Sequence, residues 1–318
     1  GIALPYGSAV GGTTVINSGT CFRTPADVLE KWRDVEGLAS LTEAAIEPHY
    51  ARVEKTLGIG PVDESLFGRN TTLFRDGARA LGLHGRPLNR SAKNCLGTGL
   101  CQWGCPTGAK QSMQVSYLPL AVRAGARLYA NCRADGGEVR AGHARAVTGV
   151  AVDAAGKAAR RVRVEAKVIV VSAGAIGTPL FLKRTGVVKS RALGRYLAIH
   201  PCAKVYAAFD EDVRGWEGVS QAYFVDDFMN DDILLEGIFV PPTFTALALP
   251  FVGAKHTAIM AKYRNLASIG CIVSDHGRGR VRRSIWGTPL MTYNLAREDA
   301  HRFGRAIATI SRLWFAAG

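Results

Sequence analysis

The spacing of apolar residues along the chain predicts several helices. In segments 42–57 and 71–81 they recur every three to four positions, which is the spacing of an amphipathic helix. Thr42 stands where the first of these helices needs an N-cap. Gly58 stands where that helix can end in the left-handed conformation, so a helix between these two residues is expected.

Three stretches in the middle of the chain have the composition of strands. Residues 127–132 form the first. Residues 146–152 and 160–166 alternate their side chains around a glycine-containing turn, which predicts a β-hairpin. Residues 167–173 contain four consecutive apolar, β-branched side chains, a run that is typical of a strand buried on both faces.

The last third of the chain has short predicted strands separated by loops and one helix. The strands are expected at 203–209, 221–226, 234–239, 269–274 and 290–293, and the helix at 254–265. A final helix begins at Asp299, and its apolar face would consist of Phe303, Ile307, Ile310 and Trp314. Many strands followed by helices predict a mainly antiparallel α+β domain here, so the chain as a whole belongs to the mixed α/β class.

Composition narrows the class of protein. A chain of 318 residues with 47% hydrophobic content can bury a substantial core, and no apolar run is long enough for a predicted transmembrane segment. The net charge of +14 raises the alternative of a non-enzymatic domain that binds an anionic partner. The densest cluster, residues 278–283, has no interleaved aromatic side chains on which bases would stack. We therefore expect a solvated strand there and no nucleic-acid partner.

The seven cysteines favour a reducing compartment, because their number is odd and the chain is long, so a cytoplasmic location is expected. Cys95, Cys101 and Cys105 have nearly the spacing of a bacterial ferredoxin, except that Thr98 stands at the second cysteine. An iron–sulfur or zinc-linked electron-transfer module on these thiols is therefore the alternative function. A compact glycine-rich loop that packs its thiols is the other interpretation.

Two glycine-containing segments have the features of a cofactor cradle. The first, Gly11-Gly12-Thr13-Thr14-Val15-Ile16-Asn17-Ser18-Gly19, combines little steric bulk with hydroxyl groups and an amide. In the second, the predicted strand 167–173 runs through Gly174 into a helix that starts at Thr178, and a helix N-terminus favours an anion such as a pyrophosphate. Each segment alone also fits an ordinary surface loop or a tight strand-to-helix connection.

Together the two segments resemble the signatures of the glucose–methanol–choline (GMC) oxidoreductase family. Residues 7–17 resemble its GG(S/T)(S/T)xxN loop, and residues 174–186 resemble its second signature, in the matching order and at a similar separation. His200-Pro201 resembles a further family segment. Residues 209–221, and the cysteine loop that ends in Gly-Ala-Lys, are similar to the branch that contains long-chain alcohol oxidases.

The resemblance implies an incomplete, Rossmann-like FAD-binding domain interleaved with an antiparallel-sheet substrate domain. Residues 1–40 and 122–200 would form the FAD-binding part, residues 41–121 a cap or cysteine-rich insertion, and residues 201–318 the substrate-binding part. The implied cofactor is FAD, and the implied substrate is a small-molecule alcohol oxidised at its CH–OH group. A base would take the hydroxyl proton while hydride passes from the alcohol carbon to flavin N5, with the electron acceptor left open.

The resemblance also implies which residues border the cofactor, with Asn17 near the polar edge of the flavin ring and Ala134 near adenine. The full set of expected contacts is Gly11, Gly12, Thr13, Asn17, Ser18, Gly19, Ala134, Ala173, Gly174, Ala175 and Thr178.

The family's dinucleotide fingerprint, a strand followed by GxGxxG, is expected to precede Gly1, and its catalytic histidine to follow Gly318. His200 matches a segment of the fold, so a structural role is expected for it and no catalytic residue is assigned. The sequence is thus interpreted as the middle of a longer enzyme, and this middle part alone would be inactive.

Overall fold

The structure is a computed structural model that describes residues 4–318, and helices and strands alternate along it. The described residues contain eight α-helices: α1 Ala26–Asp34, α2 Glu43–Leu57, α3 Arg69–Ala80, α4 Tyr117–Arg123, α5 Gly174–Thr185, α6 Pro242–Ala248, α7 Gly253–Ala261 and α8 Arg297–Ala317. Short 3-10 helices lie between several of them, and the first, Gly12–Val15, falls within the glycine-rich loop.

Thirteen strands complete the described part of the chain: β1 Ile59–Pro61, β2 Gly85–Pro87, β3 Asn89–Ser91, β4 Cys132–Arg140, β5 His143–Val152, β6 Ala158–Glu165, β7 Arg195–Leu197, β8 Cys202–Ala208, β9 Tyr223–Val225, β10 Ile233–Gly237, β11 Leu266–Val273, β12 Gly279–Arg283 and β13 Pro289–Thr292. They form four sheets, with strand orders β1-β3, β2-β9-β10-β11-β8, β13-β12-β7 and β4-β5-β6. The strand pairs in these sheets are antiparallel. The mixed α/β class is thereby confirmed.

The chain divides into two compact units. The first unit comprises Gly1–Ala126, Cys202–Val273 and Arg302–Gly318, and the second comprises Arg127–Pro201 and Ser274–His301. The assignment of cofactor and substrate domains along the chain stays a prediction.

The core of the first unit is built on its five-stranded sheet. Leu235 of β10 pairs with Cys271 of β11, and both side chains are completely buried. Phe74 of α3 and Ile310 of α8 belong to the same buried cluster, so helices cover one face of the sheet. Because side chains alternate along a strand, Glu236 lies on the face of the sheet opposite to Leu235.

Local signals in the sequence determine several helices of the first unit. The Thr42 hydroxyl accepts a hydrogen bond from the Ala45 N–H, 3.2 Å away, and Gly58 ends α2 in the left-handed conformation. Both features of α2 were predicted and are confirmed. On α8 the predicted apolar face is wrong at Ile307, which is 41% exposed, because the buried positions next to it are Ala306 and Leu313.

The second unit contains a predicted feature that the structure confirms, the hairpin of β5 and β6. Asp153 closes its turn by accepting hydrogen bonds from the backbone N–H groups of Ala155 and Lys157. α5 packs against β4 of the same three-stranded sheet. The arginines of β12 at positions 280, 282 and 283 are exposed, as expected for a solvated strand.

Two predicted strands of the second unit are wrong. Residues 127–131 are not in a strand, and β4 begins only at Cys132. Residues 167–173 are not in a strand either, and Val168 and Val170 are 78% and 81% exposed. A strand buried on both faces needs neighbouring strands and covering helices, and no strand of residues 4–318 pairs with this segment.

The helices of the described residues include none that is long and apolar enough to cross a membrane.

Candidate functional site

The glycine-rich loop has a compact backbone that its own hydroxyl groups stabilise. Gly11 and Gly12 both have positive φ angles, 96° and 58°, so the chain turns sharply into the 3-10 helix that follows. The Thr14 hydroxyl donates to the Gly11 carbonyl at 2.5 Å and accepts from the Met113 N–H at 3.0 Å. The threonine therefore both closes the turn and attaches it to a second segment of the first unit.

The two glycines of this turn have different surroundings. A Cβ atom on Gly11 would lie 2.9 Å from Val15 Cγ2 and 3.0 Å from the backbone nitrogen of Gln114, so Gly11 is required by packing. A Cβ atom on Gly12 would meet no atom within 4 Å, and the Thr13 and Asn17 side chains are exposed. One side of the loop thus faces protein while the other is open to a ligand.

Lys110 attaches the loop to the cysteine-rich segment. Its side chain is only 5% exposed, and its ammonium group donates hydrogen bonds to the carbonyl oxygens of Val15 at 2.8 Å, Cys101 at 2.7 Å and Asn17. Burial lowers the pKa of Lys110 from its usual value. Three carbonyl acceptors compensate part of the cost of burying the ammonium group, and in doing so they determine where the loop lies.

The end of the loop runs antiparallel to β3. The Ser91 N–H donates to the Gly19 carbonyl at 2.8 Å, and the Cys21 N–H donates to the Asn89 carbonyl at 2.9 Å. Arg90 of this strand is 5% exposed, and its guanidinium group donates to the Ser18 carbonyl and, at 2.7 Å, to the Gln221 carbonyl. A second buried cation therefore holds the loop at Ser18, directly after the Asn17 carbonyl that Lys110 binds.

A buried carboxyl group lies beside this end of the loop. Glu236 is 3% exposed, and Thr20 Oγ1 lies 3.4 Å from both Glu236 Oε1 and Gln221 Oε1. Burial raises the pKa of Glu236 to about 7, although the charge of Arg90 and the Thr20 hydroxyl act in the opposite direction. A perturbed acid next to an open, polar loop is a feature typical of functional sites.

The remaining predicted contacts lie in the second unit. Gly174 has φ 75° and no atom within 4 Å of a built Cβ, so the turn before α5 is open on one side. The Ala173 N–H donates to the Thr178 hydroxyl at 3.0 Å, and α5 begins at Gly174, four residues before the predicted start. Ala134 is exposed on β4 at a β-bulge, on the strand against which α5 packs.

The structure therefore places the predicted contacts in two groups. Residues 11–19 lie in the first unit, and Ala134 and residues 173–178 lie in the second. Their roles toward a cofactor stay predictions.

The backbone of His200 is bound within the second unit, where its N–H donates to Asp275 Oδ1 at 3.2 Å. His200 has a positive φ of 37°.

Arg90 and Glu236 are not among the site residues predicted from the sequence, and Lys110 appears there only as the last residue of the Gly-Ala-Lys motif. One signal was available for Glu236: it is a single acidic residue inside the otherwise apolar run Ile233–Gly237. A charge within a predicted central strand needs a buried partner. For Lys110, the partner Val15 is ninety-five positions away along the chain, so no local pattern could identify the contact.

The cysteine-rich segment lines part of a cavity of about 300 Å³ in the first unit, and residues 60–63, Leu66, Arg90 and Val219 line the rest. All seven cysteines, which lie within the described residues, are free thiols. Among residues 4–318 no three histidine, cysteine or acidic side chains are placed to hold a metal ion. The iron–sulfur or zinc alternative therefore has no ligand set in the part of the chain that is described.

Relatives of known family match the whole length of the chain. An uncharacterised GMC-type oxidoreductase of Mycobacterium tuberculosis is 36% identical over 100% of this chain and 50% of its own length. A second, from Sinorhizobium fredii, is 34% identical over 100% of the chain and 62% of its own length. A long-chain-alcohol oxidase of Arabidopsis thaliana is 28% identical over 98% of the chain and 43% of its own length. The chain thus spans about half the length of the curated relatives that it matches.

A solved structure has the same fold. An FAD-dependent oxidoreductase from Chaetomium thermophilum superposes with a TM-score of 0.60 at 12% identity, covering 96% of this chain and 68% of that one. The family model described as GMC oxidoreductase matches residues 1–202, which include both signature segments. This family match supports FAD as the cofactor. The match over residues 1–202 identifies this chain as a member of the GMC oxidoreductase family.

Proposed function

We propose that the complete protein is an FAD-dependent oxidoreductase that oxidises the CH–OH group of an alcohol. The observation that carries the proposal is the glycine-rich loop, which lies within the family match and whose carbonyl groups are held by two buried cations. Its open side presents Gly12, Thr13 and Asn17. Several relatives of this chain are named long-chain-alcohol oxidases, and this supports an alcohol as the substrate.

The residues present fit a flavin. A flavin ring is broad and flat, so it needs backbone without side-chain bulk and a few polar groups at its edge. The space in front of Gly12 and the exposed Asn17 amide meet these two needs in the first unit. The open turn at Gly174 meets the first need in the second unit.

When bound, FAD would supply the hydride acceptor of the reaction, its N5 atom. The chain's own residues have the tasks of holding the loop and controlling protons near it. Lys110 holds the loop at Val15 and Asn17, and Arg90 holds it at Ser18. Glu236 places a carboxyl group beside the Ser18 end that can hold or release a proton near neutral pH.

The test uses the full-length protein. We expect the purified full-length protein to show the absorption bands of an oxidised flavin. These bands should bleach when a long-chain primary alcohol is added without oxygen. A protein that is colourless and takes up no FAD would overturn the proposal, and so would a flavin that no alcohol reduces. Residues 1–318 alone are proposed neither to retain FAD tightly nor to turn over, and activity of that chain by itself would contradict this part.

A further inference from the structure

The cavity of the first unit has an unusual lining for a structural void. Its lining residues include three cysteines, Cys95, Cys101 and Cys105, together with the two buried cations Arg90 and Lys110. The other polar residues of the lining are Asp63 and Asn94, and the rest are apolar residues or glycine. At about 300 Å³ the cavity is large enough to admit a small organic molecule.

The three thiols differ in their surroundings, and Cys105 has hydrogen-bond donors directed at its sulfur. The Lys110 N–H donates to Cys105 Sγ at 3.3 Å, and Thr107 Oγ1 lies 3.6 Å from the same sulfur. Cys105 has a positive φ of 50°, which is uncommon for a residue with a side chain and places it in the turn that exposes its sulfur to these donors. Donors of this kind stabilise a thiolate more than a thiol.

The balance of these effects favours the anion. Burial raises the pKa of the Cys105 thiol, but hydrogen bonds from the backbone of Lys110 and from the Thr107 hydroxyl oppose it, and the net pKa is lowered. Cys105 is half-buried and lines the cavity, so a small molecule in the cavity can contact this residue. A stabilised and accessible thiolate is the condition for a nucleophilic cysteine.

Charge determines which electrophile the cavity would accept. Arg90 and Lys110 contribute two positive charges to the lining, and Asp63 contributes one negative charge. Asp63 is exposed, whereas both cations are buried and therefore less screened by solvent. A small reagent with a negative charge is thus favoured over a neutral one of the same size.

Lys110 also connects this thiol to the glycine-rich loop. Its backbone N–H bonds Cys105 Sγ, and its ammonium group bonds the carbonyls of Val15 and Asn17. A substituent turns the sulfur into a thioether, which accepts the Lys110 N–H more weakly than a thiolate does and needs added space at the Lys110 backbone. The loop loses part of its attachment as a result.

We propose that Cys105 is a modification site for small anionic electrophiles, and that its modification loosens the loop at residues 11–19 through Lys110. With iodoacetate as the probe, the Cys105 thiolate attacks the methylene carbon, a sulfur–carbon bond forms, the carbon–iodine bond breaks and iodide leaves. The thiol proton has gone to solvent. This site does not depend on bound FAD or on the oxidation of an alcohol.

The test measures carboxymethylation of each cysteine by peptide mass spectrometry, in the native and the urea-unfolded protein. Cys105 is expected to react severalfold faster in the native protein than in the unfolded one, whereas buried Cys101 reacts more slowly when native. The native acceleration at Cys105 is expected to be larger with iodoacetate than with neutral iodoacetamide. Hydrogen exchange at residues 11–19 is expected to become faster after modification.

A matched pair of surface variants isolates the hydrogen bonds. Thr107 is exposed, so neither Thr107→Val nor Thr107→Ser should disturb folding. The valine variant is expected to slow the reaction of Cys105 alone, and the serine variant to retain the wild-type rate. A native rate at Cys105 equal to or below its unfolded rate, or no preference for iodoacetate, would overturn the site. Unchanged exchange at residues 11–19 would overturn the link to the loop.

Discussion

Replacement of Glu236 by glutamine tests the buried carboxyl group beside the loop. Glutamine has the shape of glutamic acid and retains an oxygen that can accept from the Thr20 hydroxyl, but it cannot ionise. Arg90 is the charged group that acts on Glu236, and it favours the ionised form. Burial disfavours the ionised form more strongly, so the wild-type protein is less stable when Glu236 is charged.

The magnitude follows from the change in pKa on folding. The pKa of Glu236 is raised from 4.5 to about 7. Each unit corresponds to about 1.4 kcal/mol, so ionisation lowers the free energy of unfolding by roughly 3 kcal/mol. Below pH 4.5 Glu236 is protonated in both the folded and the unfolded state, and the protein has its full stability. These roughly 3 kcal/mol are lost as the pH rises through about 7.

The assay is urea unfolding of wild type and Glu236→Gln, followed by tryptophan fluorescence, at a series of pH values from about 4 to about 8. The difference in the free energy of unfolding between variant and wild type is expected to change by roughly 3 kcal/mol in favour of the variant across this range. Glu36→Gln is the control, because Glu36 is exposed and its replacement should change the free energy of unfolding by less than about 0.5 kcal/mol.

A difference between Glu236→Gln and wild type that is constant with pH would refute the reasoning. So would a change in the opposite direction, which would mean that Arg90 stabilises the charged form by more than burial destabilises it.

Three further substitutions test other parts of the structure. Lys110→Met removes three hydrogen bonds from a buried ammonium group and should lower the free energy of unfolding by roughly 3–5 kcal/mol in urea titrations. Lys93→Met, which removes one exposed bond, should cost less than about 1 kcal/mol, and equal losses would contradict the role of Lys110. Gly304→Ala adds a methyl group in open space inside α8 and should raise thermal stability by about 0.5–1 kcal/mol, so a lower melting temperature would be contrary evidence. Asp299→Asn weakens hydrogen bonds from two backbone N–H groups to a buried carboxylate of lowered pKa, at a cost of roughly 1–3 kcal/mol near neutrality. The stability that the Asp299 carboxylate contributes is present above its unfolded pKa and is lost as the pH falls through its folded pKa. Wild type and Asp299→Asn should therefore have similar free energies of unfolding in acid, and a difference that persists there would refute this prediction.

Features whose hydrogen-bond partners are close along the chain were predictable from the sequence. Thr42 caps α2 through an N–H three positions away, and Asp153 closes its hairpin turn through residues two and four positions away. The positive φ of Gly11 and Gly12 likewise follows from a turn within the loop itself. Such features need no distant partner, so the local sequence determines them.

Burial on both faces of a strand cannot be derived in the same way. Residues 167–173 have the composition of a central strand, yet the described chain supplies no strand to pair with them, and Val168 and Val170 are exposed. The composition of a segment shows that it has apolar side chains to bury. Whether they are buried depends on a neighbouring element that packs against them. Ile307 illustrates the same point on a helix, where packing selects one part of a broad apolar face.

The family signatures, the mixed α/β class and the caps and turns of this protein follow from local sequence, because each depends on residues that are close along the chain. The contacts of Lys110 and Arg90 with the glycine-rich loop, and the burial of Glu236 beside it, are visible only in the folded chain. Arg90 lies seventy-two positions from Ser18, and Thr20 lies 216 positions from Glu236. The stability and pKa of these charged groups depend on solvent exclusion and on distant partners, which exist only once the chain has folded.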